Sequence, residues 1–160
     1  MINGFLNFPT AILIAGLMIS IAIIYATGKG ATQPSAADTL SAGSDYYIRG
    51  NLNAPVKIIE YSDTECPFCK QFHSTMQEAL DTYDGQVAWI YKHFPLDSIH
   101  PKTRTEATAA ECAGEQGGAQ AFWNYIDRIF TITPSNNGLD LNELPNIAQS
   151  LKLDLKKFNL

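Results

Sequence analysis

The chain has 160 residues, with 11 Lys and Arg against 16 Asp and Glu, a formal net charge of −5 and 3 cysteines. That length holds one domain of ordinary size plus a short accessory segment. The acidic balance, deeper by one charge once Lys29 is set aside with the N-terminal stretch, disfavours nucleic acid and anionic lipid surfaces as partners.

No charged side chain precedes Lys29, and Phe8 to Thr27 is almost wholly apolar, with Pro9, Thr10 and Ser20 as mild exceptions. About 20 such residues cross a bilayer core as a helix. A secretory signal is the competing reading. It needs a basic start, a shorter apolar core and a small-x-small cleavage site close behind. Here the start has no Lys or Arg, and Ser35-Ala36-Ala37 lies well past the apolar run. Residues 1–28 are therefore predicted to be an uncleaved anchor in the lipid bilayer through residues 8–27, with a cleaved signal peptide as the alternative. Residues 29–45, rich in Gly, Ala, Ser and Thr without apolar periodicity, read as a flexible linker. Lys29 alone would weakly hold the following domain in the cytoplasm. The cysteines argue the other way, because persistent disulfides belong to oxidising compartments, and the domain at 46–160 is placed on the extracytoplasmic side.

Asn51 to Pro55 reads as a turn and Val56 to Tyr61 as a strand buried on both faces, since only Lys57 and Glu60 interrupt its apolar run. Glu60 is the odd residue there. Either it sits at an edge in water or pairs with Lys57 or Lys92, or it is a partly buried carboxylate with a raised pKa. Six positions later comes Cys66-Pro67-Phe68-Cys69, followed by the helix-like Lys70 to Leu80. A Cys-x-x-Cys pair at a strand-to-helix junction is a setting for dithiol–disulfide exchange. Pro67 suits the first helical position, because its missing N–H costs nothing there. Cys66 then falls at the N-cap, where unpaired backbone N–H groups (those of Pro67's successor Phe68 among them) and the helix dipole favour a thiolate. Cys69, one turn in, suits the resolving role. A zinc site using Cys66, Cys69, His73 and either His100 or Cys112 is a rival reading, as is a purely structural disulfide. Against zinc, no second Cys-x-x-Cys or His-x-His pair is present.

After the turn Tyr83 to Gln86, a second strand runs from Val87 to His93, so strand, helix and strand form a parallel right-handed unit. Lys102 to Ala113 reads as a helix ending at Gly114 or at Gly117-Gly118, and Phe122 to Phe130 as another whose aromatics are core. Leu141 to Leu151 reads as a third, capped by Asp140 with Pro145 early in it, and Asp154 begins one more. No repeat and no Walker-type or dinucleotide-type glycine motif appears, and no cofactor or resident metal is expected.

With these elements in place, the stretch from Tyr46 to Leu160 resembles the DsbA-type thiol oxidoreductases of the thioredoxin superfamily. The resemblance rests on Ile48-Arg49-Gly50-Asn51, Ala54-Pro55-Val56, Glu60-Tyr61-Ser62-Asp63 and Cys66-Pro67-Phe68-Cys69. Phe94-Pro95-Leu96, Ala109-Ala110-Glu111-Cys112-Ala113 and Gln120-Ala121-Phe122-Trp123 add to it. It implies an α/β, thioredoxin-like fold with a helical insertion, preceded by the transmembrane helix. Cys66 becomes the nucleophile, supported by Pro67 and Phe68 at the helix start, Cys69 the resolving thiol, and Glu60 the buried acid that exchanges a proton with Cys69. It also implies exported protein thiols as substrates and a membrane redox partner. The fold is expected to be incomplete here. Two further strands, a helix and a cis-proline loop of the family are missing, and the resemblance implies a partner for Cys112 beyond Leu160. Such proteins range from about −120 mV for strong oxidants to about −270 mV for reductants. The Pro-Phe pair does not locate this protein on that scale; an oxidant is expected, with a reductase, an isomerase or a metal-binding adapter as alternatives.

Overall fold

The computed structural model describes residues 47–158. The anchor expected at 8–27 and the linker expected at 29–45 lie outside the described residues. Among the described residues, no helix is long and apolar enough to cross a membrane.

Three strands, β1 (Tyr47–Gly50), β2 (Val56–Ser62) and β3 (Val87–His93), form a sheet in the order β1-β3-β2. β3 is central because its sequence is continuously apolar, and Val87 to Tyr91 are all buried. β2 runs parallel to it, with Val56 opposite Val87 and Ser62 opposite His93. The helix between them, α1 (Pro67–Thr82), completes the predicted strand–helix–strand unit. β1 was not expected; it is antiparallel to β3, Tyr47 opposite Tyr91 and Gly50 opposite Ala88. Its four residues are too few for a period-two pattern to declare itself. Gly50 ends it at φ +97°, where a Cβ would lie 2.6 Å from the Val87 carbonyl oxygen, so only glycine fits.

One expectation is corrected. β2 is not buried on both faces: Ile59 and Tyr61, which share one face, are 54 and 64 % exposed. β2 has a single neighbour in the sheet, and among the described residues only its other face, with Ile58, packs against the core. Alternation then puts Glu60 and Ser62 inside.

The insertion is α2 (Thr103–Ile132), broken at Gly117 and Gly118, where Gly118 takes φ 66°. The two helices read from the sequence are its halves. The second half lays Phe122, Trp123, Tyr125, Ile126 and Ile129, all fully buried, over β3. Trp89 meets Trp123 at 4.6 Å between ring centroids, and Tyr91 meets Phe122 at 5.6 Å. α3 (Glu143–Ser150) begins two residues later than expected, because Asp140 makes a turn of its own by accepting from the Asn142 N–H at 3.0 Å. Pro145 lies in its first turn, where no intrahelical N–H is needed. The segment after Asp154 is a single 3-10 turn, Leu155–Lys157, and Phe158 behind it rests on Tyr125. Cys112, a free cysteine, packs at the edge of the core.

Tyr47 stacks on Phe122 at 3.9 Å, and its hydroxyl passes over Gly114, where a Cβ would come within 2.0 Å of it. Gly114→Ala is therefore expected to destabilise the fold by about 1–3 kcal/mol through overpacking. Urea denaturation measures this; an unchanged midpoint would show that Tyr47 swings away freely.

Candidate functional site

Cys66 is the N-cap of α1 and Pro67 its first residue, as the spacing predicts. The Cys66 carbonyl accepts the first helical hydrogen bond, from Lys70 N–H at 3.0 Å, while its thiol makes no capping bond. Phe68 projects into solvent, 78 % exposed, beside the dithiol. Cys69, one turn on, is half-buried and close enough to Cys66 for the two sulfurs to interact directly. Burial pushes its thiol up. The Asp63 backbone amide and the Ser62 hydroxyl pull it partly back, and the neighbouring Cys66 sulfur adds to the rise.

Glu60 lies on the inner face of β2, 5 % exposed, and accepts the Trp89 indole N–H on Oε2 at 2.8 Å. Burial raises its carboxyl, and Ser62, Trp89 and the charge on His73 offset only part of the rise. Glu60 is thus buried, and Trp89 fixes its orientation.

His73 does not join the cysteines. Its Nε2 lies 2.7 Å from Asp127 of α2, and Arg49 of β1 grips the same carboxylate with both nitrogens, at 3.0 and 2.7 Å. Burial pushes Asp127 up, but hydrogen bonds from His73 and Arg49 outweigh it and hold the carboxyl below the usual range. The Arg49 guanidinium also stacks on Trp123 at 4.3 Å. Among the described residues, no three His, Cys, Asp or Glu side chains are grouped to hold a metal ion. The zinc arrangement through His73 and His100 is thus corrected: each histidine is committed to an aspartate, His100 lying 3.1 Å from Asp63.

The loop before Cys66 is held by acids. Asp63 accepts the N–H groups of Glu65 and Leu96, both at 2.8 Å. Glu65, fully buried, accepts from Gly138 N–H at 3.2 Å, Leu139 N–H at 3.1 Å and the Thr133 hydroxyl at 3.4 Å. Those donors belong to a turn in which Ser135, Asn136 and Asn137 all have positive φ, a conformation that costs about 1–2 kcal/mol per residue. A carboxylate with three donors offsets part of that strain. Glu106 of α2, also fully buried, accepts the Thr64 hydroxyl at 2.5 Å and faces the Glu65 carboxyl. Since Glu65 is occupied as an acceptor, Glu106 carries the proton of the pair; burial first, then Glu65, push it up to about 8. Sequence reasoning missed Glu106, which sits in an Ala-rich helix with no local mark, and it missed Ser62. Period-two spacing from Glu60 was the available signal for Ser62.

The sequence profile of a family described as Thioredoxin matches residues 43–159. Among solved structures, Pseudomonas aeruginosa DsbA2 is 32 % identical, with a TM-score of 0.55, covering 74 % of this chain and 69 % of that one. Wolbachia pipientis alpha-DsbA1 is 25 % identical, with a TM-score of 0.57, covering 78 % of this chain and 63 % of that one. The curated Na(+)/H(+) antiporter NhaA 3 of Salinispora tropica is 38 % identical over 112 residues, 70 % of this chain. The chain spans only 16 % of that relative's length, and the transport activity in its name stays with that protein.

Proposed function

The chain belongs to the thioredoxin family, among its DsbA-like members, and on that premise we propose that it is a thiol:disulfide oxidoreductase working through Cys66 and Cys69. One observation carries this reading: two interacting thiols at the start of α1 with a buried Glu60 behind them, its carboxyl raised by burial. Cys66, on the open side next to exposed Phe68, is the sulfur a substrate reaches. Cys69, whose thiol is raised by burial, is the poor thiolate that needs a proton when the disulfide opens. The direction proposed is oxidation: the Cys66–Cys69 disulfide accepts two electrons from a substrate dithiol. Exported proteins are the substrates, the domain lies outside the cytoplasm behind the anchor at residues 8–27, and a membrane redox partner reoxidises it.

The test is transfer from the oxidised protein to reduced, unfolded ribonuclease, with the potential measured in glutathione buffers. Recovery of ribonuclease disulfides with a potential toward −120 mV supports an oxidant. A potential near −270 mV would move the assignment to a reductase. Ribonuclease thiols left untouched at stoichiometric protein would remove the exchange reading altogether.

A further inference from the structure

We propose that Ser62 is a further catalytic residue, its hydroxyl passing the proton between the Glu60 carboxyl and the Cys69 sulfur. This rests on the exchange reading above and deepens it. Alternation along β2 puts Glu60 and Ser62 on one face, and the register sets Glu60 opposite Tyr91 on β3. All three are buried, at 5, 1 and 2 % exposure. The Ser62 hydroxyl faces Glu60, Cys69 and Tyr91 together. Yet Glu60 Oε1, Ser62 Oγ and Tyr91 Oη have no hydrogen-bond partner at full geometry in this arrangement. Buried polar atoms are nearly always paired, so three orphans meeting beside a reactive sulfur call for a role beyond packing.

The geometry selects the carrier. The polar groups that act on the Cys69 thiol include the Asp63 backbone amide, Ser62 and the Cys66 sulfur, and Ser62 also acts on Glu60, so it is the group that links the two. The Asp63 amide donates but has no second proton to draw on. A hydroxyl both donates and accepts. Tyr91 does not compete as a base, since full burial drives its hydroxyl well above its ordinary range and keeps it neutral. Trp89 occupies Glu60 Oε2, which leaves Oε1 for the relay.

The step balances as follows. A substrate thiolate attacks Cys66 Sγ, the Cys66–Cys69 bond breaks, and its electron pair leaves on Cys69. Ser62 gives its hydroxyl proton to that sulfur and takes the Glu60 proton. The products are a substrate–Cys66 mixed disulfide, a Cys69 thiol and a Glu60 carboxylate. The substrate's second thiolate then displaces Cys66, so the substrate dithiol is oxidised and the protein disulfide is reduced by the same two electrons.

The experiment is single-turnover reduction of the oxidised protein by dithiothreitol in H2O–D2O mixtures, for the wild type, Ser62→Ala, Ser62→Thr and Glu60→Gln. The wild type is expected to show a curved proton inventory, with two protons in flight. Ser62→Ala is expected to react about 10- to 100-fold more slowly with a linear inventory, within the range of general acid–base effects. Ser62→Thr, which keeps the hydroxyl, is expected to restore most of the rate. If Ser62→Ala matches the wild type while Glu60→Gln is slow, Glu60 acts without Ser62: the relay falls and the exchange reading stands. A linear inventory in the wild type overturns the relay whether or not the variants fold. A disulfide inert to dithiothreitol sinks both.

Discussion

Cys69→Ser is expected to arrest the protein as a persistent mixed disulfide at Cys66. In the wild type Cys69 sits one helical turn from Cys66, close enough for their sulfurs to interact, so it resolves any adduct intramolecularly. Held geometry of that kind is equivalent to a very high local concentration of the second thiol. Without it, only free thiols release the adduct, and at millimolar glutathione its lifetime should lengthen by about 10³-fold or more. Incubation with glutathione disulfide followed by intact mass spectrometry reads this directly. Cys66→Ser, which removes the accessible sulfur, should form no adduct at the motif and lose transfer activity entirely. Cys112 serves as the internal control, because burial and the Glu115 and Glu111 carboxylates push its thiol up and slow its reaction. An adduct on Cys69 in the Cys66→Ser protein, formed as fast as on Cys66 in the reciprocal variant, would reverse the assigned roles.

A loss of stability between about pH 6.5 and pH 8 is the second large effect. Glu106 keeps its proton in the folded protein up to about pH 8, against the ordinary carboxyl value of 4.5 in the unfolded chain. The folded state therefore binds more protons across that window. Its contribution is complete below about 4.5 and gone above about 8, falling by about 1.4 kcal/mol per pH unit between. Glu60, raised by burial, has the same sign. His93 has the opposite sign: burial lowers it from 6.5 to about 4, so its contribution is complete above 6.5 and is lost as pH falls toward 4. From 4.5 to 6.5 the Glu106 and His93 slopes offset each other, and above 6.5 the Glu106 fall is no longer opposed by His93. Over that last stretch it amounts to about 2 kcal/mol. Glu106→Gln keeps an oxygen for the Thr64 hydroxyl and an amide N–H for Glu65, so it should flatten the curve above pH 6.5 and leave the fold unchanged. Urea denaturation of both proteins from pH 5 to pH 9 tests this, and parallel curves for variant and wild type would rule out Glu106 as the source.

Much of the fold was written locally. The strands at Val56 and Val87 announced themselves through β-branched and aromatic runs, the dithiol helix through Pro67, and the break in α2 through Gly117-Gly118. These signals need no knowledge of what lies across the core. What stayed hidden was set by contacts between distant segments. β1 is too short to show a period and is defined only by pairing with β3. The exposure of Ile59 and Tyr61 follows from the outer face of β2 being uncovered among the described residues, which its own apolar sequence does not state. At the site, the cysteines and Glu60 were legible because residue type and spacing imply their chemistry. Trp89 as the partner of Glu60, and Glu106 as the partner of Glu65, were not: a tryptophan in a core strand and a glutamate among alanines look ordinary until the chain brings them together.

The clamp of Arg49, Asp127 and His73 also bears on the order in which the molecule assembles. Arg49 and Asp127 are 78 residues apart, so their ion pair closes a long loop whose entropy must be overcome before any contact rewards it. The strand–helix–strand unit around the dithiol needs only short-range closure and can form first. In a newly made chain, Cys66 and Cys69 then stand on their helix while Trp89 still awaits the second half of α2. The docking of α2 is thus the step that brings Trp123 onto Trp89, the residue that holds Glu60.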